Sequence, residues 1–251
     1  MIFKFSFILL IFIINLTGCG GGGSSGTIQE GITVSFGATP LSTTQKMLTG
    51  NKTFKTTEGV QITLKKAYLV IWSVKLETEC SSSNFAQWLD WLIPQAVAHA
   101  QETPTQLGVP NVIDILSDDG NFLKLGEIYP PPATYCGATV ELMKADEDTQ
   151  YLPKETPMLN KVLYIEGEYL PIDRNEAIPF VIDLAKTPRP RNLKFPVALL
   201  LSSTKRTAQI NFQINYDRWF DGVDFNALSQ ESQKDFLLNN VTNSLKYQGG
   251  I

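Results

Sequence analysis

The chain has 251 residues, 43% of them hydrophobic and 18% charged, a balance found in globular proteins and far from the low-hydrophobicity, high-charge composition of disorder. Its 25 acidic and 21 basic residues leave a net charge of −4, with no excess of Lys and Arg to neutralise phosphates, so nucleic acid is not the expected partner. One His and three Cys exclude a His-rich metal cage, a four-cysteine zinc site and any Ser-His-Asp triad not built on that His.

At the N-terminus Lys4 precedes an apolar run from Phe5 to Ile14 interrupted by Ser6 alone. A run of that length covers roughly 15 Å as a helix, half of the ~30 Å hydrocarbon thickness, which fits a signal-peptide core and not a permanent span. Leu16-Thr17-Gly18-Cys19 then resembles the bacterial lipobox, in which small residues precede a Cys that receives a diacylglycerol and becomes the new terminus. The alternative is a plain secretory peptide cut elsewhere, leaving Cys19 a free thiol. Removal of 1–18 takes away Lys4 alone among the charged residues, so the mature charge is −5. Several acyl chains on one Cys anchor a protein stably where one chain does not.

Gly20 to Gly26 read Gly-Gly-Gly-Gly-Ser-Ser-Gly, a flexible tract reaching roughly 15 Å. The expected organisation is a lipoprotein signal peptide over 1–18, a lipidated Cys19 with its linker over 19–30, and a single β-rich domain over 31–251. Gly20 in place of Asp after the lipidated Cys resembles the enterobacterial signal for the outer membrane. Export sets the reading of the remaining cysteines: Cys80 and Cys136 form the one pair left in an oxidising compartment, and a disulfide is favoured over two separate buried thiols. Nothing resembles the Cys-x-x-Cys of a redox enzyme.

From Gly31 to Phe220, short segments rich in Val, Ile, Thr, Phe and Tyr are separated by Gly, Pro, Asn and Asp, the signature of strands and turns. Strands are expected at Ile32–Phe36, Phe54–Thr57, Gln61–Thr78, Val112–Leu116, Phe122–Tyr129, Tyr135–Met143, Val162–Tyr169, Ile178–Leu184, Leu193–Ser202 and Thr207–Tyr216. In the last of these Ile210, Phe212, Ile214 and Tyr216 alternate with Gln209, Asn211, Gln213 and Asn215, which makes one face wet. The continuous run Phe195–Leu201 suggests burial on both faces, while Pro196 argues for an edge, a bulge or a strand start. This inventory predicts a mainly β fold, an antiparallel sandwich or a barrel-like relative of it. One C-terminal helix is expected over 229–247, with Ser229 as its cap and Phe236, Leu237, Leu238, Val241 and Leu245 on its apolar face.

Between Cys80 and Gly108 the pattern is neither strand-like nor simply polar. Phe85, Trp88, Leu89, Leu92 and Ile93 fit a short helix docking on a sheet; Trp88 and Trp91 alternatively form a candidate partner or membrane surface. His99 is a candidate metal ligand whose companions would be Met143, Met158 or carboxylates brought near by folding. Asp118-Asp119 and Asp146-Glu147-Asp148 read as polar turns without the calcium-loop spacing, and Trp219-Phe220-Asp221-Gly222 as a buried aromatic pair before a turn.

The order of Gln61–Leu76, the Ala98-His99-Ala100 loop, Asn111–Leu116 and Tyr216–Phe225 resembles uncharacterised bacterial envelope lipoproteins, distantly similar to MbnP-like periplasmic copper-associated proteins. The resemblance covers most of 60–225 and implies a β-rich fold. It implies copper less directly, because the second His that such relatives carry soon after the first is replaced here by Glu102 and Thr103.

The favoured function is a lipid-anchored envelope protein with a non-catalytic binding or structural role, its partners the membrane through the N-terminal lipid and an envelope protein or small ligand. The alternatives are a copper-binding or copper-delivering protein resting on His99, and a hydrolase using carboxylates such as Asp114, Asp118 or Asp183.

Overall fold

Alternating apolar and polar residues place most of the strands. The computed structural model describes residues 31–45, 47–78 and 103–249. Its strands are β1 (Thr33–Pro40), β2 (Lys52–Lys55), β3 (Gln61–Ile71), β4 (Ser73–Glu77), β5 (Gln106–Leu107), β6 (Asn111–Asp114), β7 (Leu123–Ile128), β8 (Ala133–Glu141), β9 (Leu163–Leu170), β10 (Ile178–Leu184), β11 (Arg191–Leu201) and β12 (Thr207–Ile214). A helix, α1 (Glu231–Ser244), and a last strand, β13 (Leu245–Gly249), complete the described fold.

Three sheets result. The first has the order β13-β12-β1-β7, the second β10-β9-β3-β2 with β6 also paired to β3, and the third β11-β8-β4-β5. The fold is mainly β, and its sheets stay open in the manner of a sandwich instead of closing into a barrel. The edges of the first and third sheets meet, β13 beside β11 and β7 beside β5. At one of these seams the rings of Phe195 and Tyr247 lie 4.5 Å apart. Apolar residues from Ile32 to Leu245 form one large buried cluster, and Val70, Val112, Ala145 and Met158 form a smaller one.

In β12 the residues Ile210, Phe212 and Ile214 are buried as the period of two requires, and Tyr216 follows them into the core. Among the named strands pairing is antiparallel except between β1 and β12, which run parallel with Thr33 opposite Thr207 and Pro40 opposite Ile214. The expected strand Gln61–Thr78 is broken at Trp72: β3 belongs to the second sheet, β4 to the third, and the buried Trp72 carries the chain between them.

Two expectations need correction. Phe195–Leu201 is not buried on both faces, since Val197 is 81% and Leu200 57% exposed. β11 is an edge strand whose register with β8 shifts between Lys194 and Leu199, and Pro196, which has no N–H to donate, sits inside that irregularity. The helix expected over 229–247 spans Glu231–Ser244 instead, with Gln230 at its N-cap. Leu245 had helical spacing relative to Val241, but it leaves the helix to pair with Ile214 of β12, and Tyr247 pairs with Phe212. Sheet hydrogen bonds there replace the carbonyl partners a continuing helix would have supplied.

Candidate functional site

β2 alternates, with Lys52 and Phe54 turned inward and Thr53 and Lys55 outward. The period that buries Phe54 therefore buries a lysine. An unpaired ammonium there would be costly, and the fold supplies partners. Lys52 Nζ donates to Asp119 Oδ1 at 2.5 Å and to the Ser117 carbonyl at 2.6 Å, and stands 4.7 Å over the Tyr216 ring. Asp119 also accepts from the Tyr216 hydroxyl at 3.0 Å, from Ser42 N at 3.1 Å and from Met47 N at 2.9 Å. Burial first, and then the adjacent Asp119 charge, push the Tyr216 phenol far above its ordinary range, so it remains a donor.

Beside this pair, the buried Asp217 accepts from Thr43 N at 2.8 Å, from Thr43 Oγ1 at 2.7 Å and from Ser42 Oγ at 3.2 Å. Asp119 and Asp217 together pin the loop after β1 to the turn after β6 and to the single helical turn Tyr216–Arg218. Chemically the cluster holds and does not turn over: the side chains of Lys52 and Asp119 have no solvent exposure through which a substrate could reach them. Sequence reasoning placed Asp119 in a polar turn and did not single out Lys52. Asp118 is the exposed turn residue, bonded to Thr49, while Asp119 points inward. The available signal was the alternation of Lys52 with Phe54.

Concave surface lies elsewhere, along β10 at the edge of the second sheet. Two adjoining hollows of about 240 and 360 Å³ share Asp183 and Lys234 and run between β10 and the segment leading into α1. The larger is floored by aromatic rings: Tyr169 stacks on Phe225 at 4.3 Å, and Phe180 meets Phe225 edge-on at 5.6 Å. The smaller is rimmed by Lys186, bonded to Asp235 at 2.6 Å. An apolar floor with charged rims suits a small amphipathic ligand or an extended peptide beside the strand edge.

Of the carboxylates considered for hydrolysis, Asp114 and Asp183 are not brought into one acid–base pair. Asp114 pairs across the sheet with Tyr68, Tyr68 with Tyr164, and Tyr164 with Asp183. That puts Asp114 and Asp183 three strand spacings apart, roughly 14 Å, beyond the ~5–9.5 Å of working carboxylate pairs. Asp183 is paired with Lys161 at 3.1 Å, and Asp114 accepts from Leu116 N at 2.9 Å. Asp146-Glu147-Asp148 forms the expected turn, with Thr149 Oγ1 bonded to Asp146. Trp219 and Phe220 are buried and Gly222 follows at φ +73°, which a turn with glycine accommodates.

Met158, a suggested companion of His99, is buried among Val70, Val112 and Ala145. Among the described residues no group of three or more His, Cys, Asp or Glu side chains could hold a metal ion. Cys19, Cys80, Trp88, Trp91 and His99 lie outside the described residues. Cys136 lies in β8, its Sγ 3.4 Å from the Glu77 carbonyl oxygen.

No protein-family model matches the chain, and comparison with curated proteins and with solved structures gave no match. Fold and site together define a β-sandwich with a closed internal ion pair and an open groove along one sheet edge.

Proposed function

We propose that the protein is a lipid-anchored lipoprotein of the cell envelope with a non-catalytic binding or structural role, attached through Cys19 and directed to the outer membrane. The observation that carries this reading is the order of an apolar run, Leu16-Thr17-Gly18-Cys19 and a Gly/Ser tract, followed by an ordered sandwich that starts at β1. The resemblance to envelope lipoproteins supports it independently. Among the described residues no helix is long and apolar enough to cross a membrane. For a binding role, the groove of β10, Phe180 and Phe225 offers the concave surface.

The test is mass spectrometry of the N-terminal peptide with cell fractionation. The expected result is a diacylglyceryl-modified Cys19 and membrane association lost in Cys19→Ser. An unmodified Cys19 in the mature chain would overturn the anchor.

A further inference from the structure

Three pieces of chain converge at one end of the sandwich. β1 begins there, next to Gly31, where the tether joins the fold. Thr33 is opposite Thr207, so the turn Ser202–Arg206 lies at the same end, and Thr33 N bonds the Arg206 carbonyl at 2.7 Å. Val34 is opposite Ile128 and Leu201 opposite Ala133, which brings the loop Tyr129–Pro132 there as well.

This end is both apolar and basic. Tyr129 is 55% exposed, and so are Leu200 (57%) and Val197 (81%) of β11, Leu200 paired opposite Thr134 and Val197 in the stretch where the edge strand departs from regular pairing with β8. Lys205 and Arg206 are exposed beside them, and the Arg206 side chain passes against Gly31. The stretch Lys186–Arg206 holds six of the chain's 21 cations and none of its 25 acids. Among the described residues the neighbouring acids are already engaged: Glu127 bonds Lys124 at 2.7 Å and Ser35 at 3.1 Å, and Glu77 lies 3.6 Å from Lys75.

We infer that this end, formed by Tyr129, Val197, Leu200, Lys205 and Arg206, is a membrane-docking surface for an anionic phospholipid bilayer. The inference rests on the anchor reading, because the tether enters the fold here. On that reading a Gly/Ser linker from Cys19 to Gly31 would reach roughly 20 Å, short enough to hold this end near the headgroups and too short to prefer the opposite one. Aromatic and aliphatic side chains enter the interface while Lys and Arg meet phosphate, which suits these five residues. A bare acyl tether would leave the orientation of the domain free; the patch fixes it.

The experiment uses the mature-length chain, residues 19–251, carrying Cys19→Ser; the core runs from Ile32 to Leu245, so this chain contains the whole fold. Cosedimentation is measured with vesicles of phosphatidylglycerol and phosphatidylcholine, and with phosphatidylcholine alone. Binding is expected to the anionic vesicles and to weaken with salt. Lys205→Glu with Arg206→Glu should reduce it at least 25-fold, about fivefold for each cation removed. Val197→Ser with Leu200→Ser should also reduce it. The same charge change at the far end, Lys55→Glu with Lys246→Glu, should leave a markedly larger fraction bound, with circular dichroism confirming that each variant is folded. Absence of binding to the anionic vesicles, or equal losses from the two charge pairs, overturns the inference. Acylation of Cys19 is read separately, so a modified Cys19 with no vesicle binding refutes the patch alone, and vesicle binding with an unmodified Cys19 refutes the anchor alone.

Discussion

Lys52 and Asp119 meet as an ion pair with neither side chain exposed, and the Tyr216 hydroxyl and ring close it from the core side. Such a pair contributes little net stability, but removing one partner leaves a buried charge without compensation. Lys52→Met is therefore expected to destabilise the fold by about 3–5 kcal/mol in urea unfolding. Adding Asp119→Asn, which keeps an acceptor for Ser42 N and Met47 N while removing the charge, should restore a large part of that loss. A cost well under 1 kcal/mol for Lys52→Met would show that water reaches the pair.

Tyr216 supplies a prediction with a definite pH sign. Its phenol is raised above the ordinary value of 10.0, mainly by burial and then by Asp119, so the folded state favours the protonated form. The corresponding stability is fully present below about pH 10 and is lost as the pH climbs beyond it, by up to ~1.4 kcal/mol per pH unit. In an ultraviolet titration Tyr216 should ionise only as the protein unfolds in alkali, and Tyr216→Phe should shift that unfolding to higher pH. Free ionisation of every tyrosine in the folded protein would contradict this.

Periodicity made much of this fold legible and also marks where legibility stops. Ile210, Phe212 and Ile214 announced their buried face because β12 sits inside its sheet with one face on the core. At β11 the same apolar composition misled, because an irregular edge strand leaves Val197 and Leu200 outside. At the C-terminus, helical spacing continued through Leu245 while the hydrogen-bonding need of β12's edge pulled the chain into β13, a long-range demand that no local window contains. Of the two site regions, Phe180 and Asp183 fell inside an expected strand, but the hollow beside them depends on how Phe225 and α1 pack against it. The partner of Lys52 is 67 residues away in sequence, and only the fold brings it close.

Two glycines should respond differently to the same substitution. A Cβ on Gly167 of β9 would lie 2.5 Å from the Thr63 carbonyl oxygen, which is backbone of the neighbouring β3. On Gly37 of β1 it would lie 2.1 Å from the Phe122 ring, a half-buried side chain before β7 that can rotate away. Gly167→Ala is expected to cost about 1–3 kcal/mol or more, and Gly37→Ala less, in thermal unfolding. The reverse order would mean that Phe122 is fixed and the β3–β9 pair yields.

The cysteines supply a final test. Gly137 of β8 is opposite Glu77 of β4, so Cys136 stands at the level of the residue after Glu77, with its Sγ near the Glu77 carbonyl. Cys80 follows Glu77 by three residues, a span of at most ~11 Å, and a disulfide needs its Cα atoms within about 7 Å. A bridge between Cys80 and Cys136 is therefore within the reach of the chain that leaves β4. Protein isolated without reductant is expected to yield a Cys80–Cys136 linked peptide, and reduction should lower stability by about 2–4 kcal/mol. Alkylation of both thiols in the unreduced, denatured protein would refute the bridge, and would leave Cys136 as a half-buried thiol at the edge of the β4–β8 pair.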